Sequence, residues 1–384
     1  LLRNETNLYF TNKFVILYIK LHFSLEKETV MKTILVTGGT TFVSKYVAEY
    51  FVEHAYEVYV LNRNTKPQVE GVTPIEGDRH ELGDRLKKRH FDVESDGFYG
   101  AYWKCKTGSD CAMIAMIGDD SEDYLARTSV KWLHKLGVNV MTMSPGKKDY
   151  GHHNYPLERI EKAINWLKMN SNQKIGIVGA STTGTLALTA ASYFEDLTLT
   201  IGLTPSDFIW QGFMQGKKDG CKEWPIDGES LFSYKGEPLP YMPFCYKHPD
   251  YWHVIEKETK RTGDMINSRK LFDDSEKAHP ITEDEMIKIE KIHGTLLLIG
   301  AEDDVLWDTA KYIRRMELRM KDHPHTCRLE SVIYEHGTHF VFPESMLKTM
   351  LPIGSGIFMK LAFQAARKYP KECQTARLDI DQRV

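Results

Sequence analysis

The chain has 384 residues, 42% hydrophobic and 27% charged, with a formal net charge of −3. This is an ordinary globular composition with room for a large core, and it excludes the basic field that nucleic-acid binding needs. Six cysteines fall at irregular spacing with no Cys-x-x-Cys pair, and His152 and His153 are merely adjacent, so the expectation is a reducing cytoplasmic location with no structural metal and no cofactor.

Residues 1–30 carry one short apolar run, Phe14–Ile19, interrupted by Lys20. A bilayer takes about 20 residues, so the run is too short to span one, and no small-residue cleavage site follows it. With Met31 reading as a natural start, residues 1–30 are expected to be a disordered or loosely docked extension.

Residues 31–93 open as a β-α-β unit: a strand over Met31–Thr37, a Gly38-Gly39 turn, helical apolar spacing from Phe42 to His54, and a second strand over Glu57–Leu61. The segment resembles the opening of an extended short-chain dehydrogenase or nucleotide-sugar epimerase, whose Thr-Gly-Gly turn brings backbone amides to a pyrophosphate. Thr41 and Ser44 fill later glycine positions, and Asn62-Arg63-Asn64 lacks the acid that binds an NAD ribose, Arg63 suiting a 2′-phosphate better. After Gly77-Asp78 and a basic helix near Leu82–Arg89, the pattern stops at Phe91-Asp92-Val93. The remaining strands and the catalytic tyrosine and lysine are missing, and the Tyr102/Lys106 spacing is a chance match. The expectation is a truncated Rossmann-like fragment joined by a fusion, with an NADP-dependent oxidoreductase or epimerase-type nucleotide binder as the alternative function.

From residue 94 the pattern changes. Cys111–Ile117 is a buried-strand run leading into Gly118-Asp119-Asp120-Ser121, and Asp119 and Asp120 read as an N-cap cluster for a helix over Tyr124–Leu136. Ile175–Gly179 is an apolar strand that ends in Gly179-Ala-Ser181-Thr-Thr-Gly184 and continues as a helix. This reads as a nucleophile elbow, in which a sharp strand-to-helix turn exposes one side chain and small neighbours make room for it. Thr183 stands where glycine is usual, and Gly184 is expected to supply the close helix-to-strand approach instead. Otherwise the segment is an ordinary turn with a buried serine.

Residues 205–280 are rich in aromatics, among them Phe208, Trp210, Phe213, Trp224, Tyr251 and Trp252. An insertion here reads as a cap that sheds water around an apolar chain, with Lys217, Lys218 and Lys222 available to phosphates. The other reading is packing on the core or a contact between copies in a homo-oligomer.

Next, Gly294–Gly300 is a buried strand opening into Glu302-Asp303-Asp304, followed by a basic amphipathic helix over Thr309–Lys321. Leu329–Tyr334 is the last strand, followed by the loop Glu335-His336-Gly-Thr-His339-Phe-Val-Phe-Pro343. A serine needs a histidine base and an orienting acid, and the order serine, acid, histidine along the chain is that of α/β hydrolases. Ser181 is the candidate nucleophile and His339 the candidate base, with His336 as its alternative. Asp303, three residues past Gly300, is the candidate acid, with Asp304 as its alternative and Glu302 as a third. The backbone N–H groups of Thr182 and Gly118 are the candidate oxyanion hole.

On the Ser181 elbow, the Asp-Asp-x-x-Trp307 loop and the Gly337-Thr-His339-Phe-Val-Phe-Pro loop, residues 94–384 resemble the C-terminal catalytic domain of the acyl-CoA thioester hydrolase and bile-acid-CoA:amino-acid N-acyltransferase family. The resemblance implies an α/β-hydrolase fold with a mostly parallel sheet and a cap. It places the family's nucleophile on Ser181, its acid on the Asp303-Asp304 pair and its base on His339. Members that transfer acyl groups use cysteine, so serine implies hydrolysis, here of an acyl-CoA thioester or a related ester. The N-terminal β-sandwich of eukaryotic members has no counterpart in residues 1–93. The partner expected is this small-molecule substrate, with no nucleic acid and no membrane, and a non-catalytic hydrolase-like binding protein is a third reading.

Overall fold

The computed structural model describes residues 6–11, 14–19, 32–40, 42–76, 88–118, 120–145, 152–215, 223–351 and 355–384. Thr41, Asp119, Lys217, Lys218, Lys222 and most of the helix expected near Leu82 lie outside them. The chain divides into two compact units, residues 1–87 and 88–384.

In the first unit, β3 (Lys32–Thr37), α1 (Phe42–Glu53) and β4 (Tyr56–Asn62) form the expected β-α-β, with β3 and β4 parallel and β5 (Val72–Glu76) parallel to β4. Gly38 and Gly39 turn at φ 96° and 69°, where a side chain would be strained. Ile34, Val36, Ala48, Val58 and Val60 make a small core of their own. The extension expected to be disordered instead contributes a hairpin, β1 (Thr6–Thr11) and β2 (Phe14–Ile19). β2 pairs antiparallel with β3, on the side where a doubly wound sheet would place its next parallel strand.

The second unit begins earlier than the expected residue 94. Lys88–Phe91 is not helical but forms β6, which pairs antiparallel with β7 (Gly100–Trp103). The next elements are β8 (Cys111–Met116), α2 (Tyr124–Lys135), β9 (Asn139–Thr142), β10 (Tyr155–Pro156), α3 (Glu158–Met169), β11 (Lys174–Ala180), α4 (Thr182–Tyr193) and β12 (Leu197–Leu203). The cap region holds β13 (Gln211–Gln215), β14 (Glu223–Ser230), β15 (Phe232–Tyr234), β16 (Glu237–Pro238), α5 (Asp250–Thr262) and α6 (Arg269–Ala278). The chain closes with β17 (Thr295–Ala301), α7 (Thr309–Asp322), β18 (Arg328–Tyr334), α8 (Glu344–Met350), α9 (Ser355–Ala362), α10 (Gln364–Lys368) and α11 (Pro370–Arg383).

The central sheet runs β18-β17-β12-β11-β8-β9-β7-β6. It is parallel from β18 to β9, with β7 antiparallel to β9. Numbered along the unit, that order is 1-2-4-3-5-6-7-8, and this is an α/β-hydrolase sheet. The strands β8, β11, β12 and β17 are buried along almost their whole length, which is why they are continuous apolar runs rather than alternating ones. Helices α2, α4 and α7 pack on them. In a parallel sheet of this kind, sites form outside the carboxyl ends of the strands, and the loops after β8, β11, β17 and β18 all leave from those ends.

The cap is tied to the body by charge as well as by apolar contact. Asp207, 2% exposed just past β12, accepts two hydrogen bonds from the Arg315 guanidinium of α7, at 2.6 and 2.7 Å, and Arg315 also reaches Glu276 of α6 at 2.5 Å. Such bidentate pairs combine strength with a fixed geometry. Of the cap aromatics, Phe208, Phe232 and Phe244 are buried in the core, which accords with the packing reading for those three. Among the described residues no helix is long and apolar enough to cross a membrane.

Candidate active site

The turn from β11 into α4 holds Ser181 at φ 60° and ψ −127°, a conformation that non-glycine residues rarely adopt. Its N–H donates to the carbonyl of Leu203 on β12 at 2.8 Å, which anchors the turn to the neighbouring strand. Gly179 is obligatory, because a Cβ there would lie 2.0 Å from the carbonyl oxygen of Thr183. At Gly184 a Cβ would stand 3.0 Å from the Leu203 carbonyl, so this residue does permit the close helix-to-strand approach. Thr183, the departure from glycine, has a use of its own. Its hydroxyl accepts from the Ala180 N–H at 3.1 Å and donates to the Met116 carbonyl at 2.5 Å, fastening the elbow to β8.

His339 comes from the loop after β18 and is fully buried, and Asp304 comes from the loop after β17 and is 2% exposed. Asp304 oxygens lie 2.9 and 3.0 Å from His339 Nδ1, and His339 Nε2 lies 2.9 Å from Ser181 Oγ. A carboxylate only accepts, so Nδ1 carries the proton, Nε2 is the acceptor, and the Ser181 hydroxyl donates to it. Asp304 is itself fixed by the N–H of Leu306 at 2.9 Å and by the Thr309 hydroxyl. Trp307 meets the His339 ring edge to face at 4.9 Å, while its Nε1–H donates to the Thr204 carbonyl at 3.1 Å.

The acid expected first, Asp303, points elsewhere. Its Oδ1 accepts from the N–H groups of Gly337 and Thr338 at 3.0 and 2.7 Å, and its Oδ2 faces His336 Nδ1 at 3.2 Å. The partner of His339 is therefore Asp304, and Asp303 braces the backbone of the histidine loop, where Thr338 is held at φ 65°. His336 does not reach Ser181; its ring stacks on Tyr369 with centroids 3.5 Å apart. Glu302 pairs outward with Arg314.

Ser181 and His339 open onto a cavity of about 690 Å³ that Thr182 and Gly118 also line. Its wall is mainly apolar, including Met116, Trp210, Phe213, Phe272, Leu306 and Phe358. The N–H of Thr182 opens α4, where no intrahelical carbonyl can reach it. Gly118 turns at φ 109°, and a Cβ there would strike the Asp123 carboxylate at 2.5 Å. That carboxylate, rather than Asp120, caps α2, accepting from the Ala126 N–H at 2.8 Å. Trp210, Phe213 and Tyr251 bring the cap to this cavity. His152 also lines it, and nothing in the spacing of the sequence marks that residue. Among the described residues no group of three or more His, Cys, Asp or Glu is arranged to hold a metal ion.

Residues 155–346, half of the chain and the half that contains Ser181, Asp304 and His339, match the family described as BAAT / Acyl-CoA thioester hydrolase C terminal. The chain belongs to this family. The family match spans the elbow, the cap and both loops, so the site geometry and the family assignment concern the same residues. No curated protein matches the chain. Among solved structures, an esterase of Pyrococcus furiosus is 14% identical, with 79% of this chain and 96% of that one covered at a TM-score of 0.42. The esterase domain of a Rhodothermus marinus protein is 13% identical, covering 74% and 99% at 0.37. An α/β hydrolase from a Medee basin deep-sea metagenome library is 12% identical, covering 75% and 98% at 0.38.

Proposed function

We propose that this α/β hydrolase is a serine enzyme that cleaves acyl-CoA thioesters or related acyl esters through an acyl-enzyme on Ser181. The observation that carries the reading is the hydrogen-bonded series Ser181 Oγ, His339 Nε2, His339 Nδ1, Asp304 at the edge of an apolar cavity. Ser181 Oγ attacks the acyl carbonyl carbon while His339 takes its proton, and Asp304 holds the imidazolium that results. The N–H groups of Thr182 and Gly118 are the donors for the oxyanion, aimed at charge that exists only in the transition state and the intermediate. Collapse of the intermediate breaks the bond to sulfur or oxygen and releases the leaving group. A thiol with a pKa near 8.5 leaves as thiolate with little need of a proton in the transition state and picks up the His339 proton afterwards, whereas an alcohol takes that proton as it leaves; either way His339 is neutral again before water enters. Water then attacks the acyl-enzyme, His339 receives its proton, and collapse returns that proton to Ser181 as the acid departs.

The family name favours a thioester, and the apolar wall favours a hydrophobic acyl group. A fluorophosphonate probe with Ser181→Ala as control, run beside panels of acyl-CoA thioesters and p-nitrophenyl esters, tests the reading. Labelling that disappears in the variant, together with turnover of either panel, supports it. Labelling that survives Ser181→Ala refutes it.

A further inference from the structure

The wall of the cavity carries a histidine that the reaction above does not use. His152 is 7% exposed and lines the same cavity as Ser181 and His339. Its position is rigid. The His152 carbonyl accepts from the Phe213 N–H at 2.9 Å, and two and three residues on, the N–H groups of Asn154 and Tyr155 donate to the carbonyls of Ser230 and Leu231 at 2.6 and 2.9 Å. Gly212 allows the approach, since a Cβ there would lie 2.6 Å from the Ser230 carbonyl oxygen and 3.0 Å from the His153 Cα. The imidazole stacks on the Phe213 ring, with centroids 4.8 Å apart and planes 18° from parallel.

The adjacent His153 and two hydroxyls of the cavity wall have partners, whereas this ring keeps hydrogen-bonding capacity in reserve. His153 pairs with Glu229 at 2.7 Å. On the cavity wall itself, the Ser268 hydroxyl donates to the Leu306 carbonyl at 2.8 Å and the Tyr124 hydroxyl to the Met350 carbonyl at 2.5 Å. His152 Nδ1 is buried with no hydrogen-bond partner among the described residues. A buried polar atom left unpaired costs free energy, and because Nδ1 is sealed from solvent its effect is on which ring nitrogen carries the proton. Burial pushes the His152 pKa down to about 4, so near pH 7 the ring is neutral and offers one donor and one acceptor. An unpaired lone pair is cheaper to bury than an unpaired N–H. The tautomer with Nδ1 unprotonated is therefore favoured, which makes Nε2–H the donor. A neutral donor does not select a carboxylate or phosphate as a cation would; it suits an uncharged oxygen.

We infer that His152 recognises a hydroxyl on the acyl group, so that the cavity selects hydroxylated acyl chains over plain chains of the same length. The inference rests on the reading of the cavity as an acyl site. In an apolar wall, a single pre-positioned hydrogen-bonding group discriminates between two chains that fill the space equally well.

The test compares p-nitrophenyl esters of octanoic, 3-hydroxyoctanoic and 7-hydroxyoctanoic acids. Wild-type protein is expected to favour one of the hydroxylated esters by about tenfold in kcat/KM, the effect of one added hydrogen bond. His152→Phe, which keeps the stacking on Phe213, removes that preference, so that the hydroxylated and plain esters are hydrolysed with similar kcat/KM. His152→Gln, which keeps a donor, retains part of it. Equal treatment of all three esters by the wild type, or equal losses on all three in His152→Phe, overturns the inference. Binding of the free acids to Ser181→Ala, followed through the fluorescence of Trp210 and Trp307 on the cavity wall, separates this inference from the hydrolase reading. A binding preference that depends on His152 without turnover of any p-nitrophenyl ester or acyl-CoA thioester sustains the inference and refutes hydrolysis. Turnover with no binding preference does the reverse.

Discussion

Two adjacent aspartates with different tasks make a sharp experiment. In Asp304→Asn the amide oxygen must occupy the Oδ1 position, because the Leu306 N–H points there at 2.9 Å. The NH2 group is then forced into the Oδ2 position, 2.9 Å from His339 Nδ1. The Nδ1 proton is then left with only the neutral amide oxygen, at 3.0 Å, beside an NH2 that cannot accept it, so the Nδ1–H tautomer is disfavoured and the imidazolium that forms when His339 takes the Ser181 proton has lost its counter-charge. The same aspartate-to-asparagine change in serine proteases costs about 10⁴ in kcat, or about 5 kcal/mol of barrier. Asp303→Asn behaves differently. Its amide oxygen keeps the N–H groups of Gly337 and Thr338, and its NH2 can donate to His336 Nδ1, so the expected loss is below about tenfold. The assay is kcat on a p-nitrophenyl ester together with the rate of fluorophosphonate labelling, with circular dichroism to establish that both variants fold. A larger loss in Asp303→Asn than in Asp304→Asn would refute the assignment.

Three further outcomes follow from the geometry. Gly179→Ala puts a Cβ 2.0 Å from the Thr183 carbonyl oxygen, and because the obstacle is backbone, fluorophosphonate labelling should fall to background; normal labelling contradicts the tight elbow. Thr183→Val removes the hydroxyl that serves Ala180 and Met116 and should cost about 1–3 kcal/mol in urea unfolding, whereas an unchanged midpoint would show that the hydroxyl does not fasten the elbow. For His152, whose folded pKa of about 4 lies below its usual 6.5, the unfolded chain binds the extra proton, so this group lowers stability as pH falls from about 6.5 to 4 and has no effect on it above that window. His152→Phe should therefore lose about 3 kcal/mol less than the wild type over that range, and parallel pH profiles of the two proteins would contradict the burial of a neutral ring.

Much of the hydrolase unit is legible in sequence because its physics is local. A strand buried on both faces must be apolar throughout, as β11 and β17 are, and a turn with no space for a Cβ must be glycine, as at Gly179. The choice between Asp303 and Asp304 is not local. Past the end of β17 no periodicity governs side-chain direction, and the carboxylates are distinguished by a loop more than 30 residues further on, one meeting its backbone and the other its histidine. Strand β6 is hidden for another reason: of Lys88-Arg-His-Phe91 at the sheet edge only Phe91 is buried, so neither alternation nor an apolar run marks it. His152 has no sequence signal, since its site exists only once Phe213, 61 positions away, has folded against it. In the first unit, the apolar pattern of Phe14–Ile19 suits a strand as well as a loose extension, and only pairing with β3 decides between them.

The most direct measurement is peptide mapping by mass spectrometry after rapid mixing with an acyl-CoA or p-nitrophenyl ester that the protein turns over. An acyl adduct on Ser181 that forms within one turnover, decays as product appears and is absent from Ser181→Ala, which has also lost turnover, is the predicted result. An adduct on another residue, or hydrolysis that persists in Ser181→Ala, would contradict it.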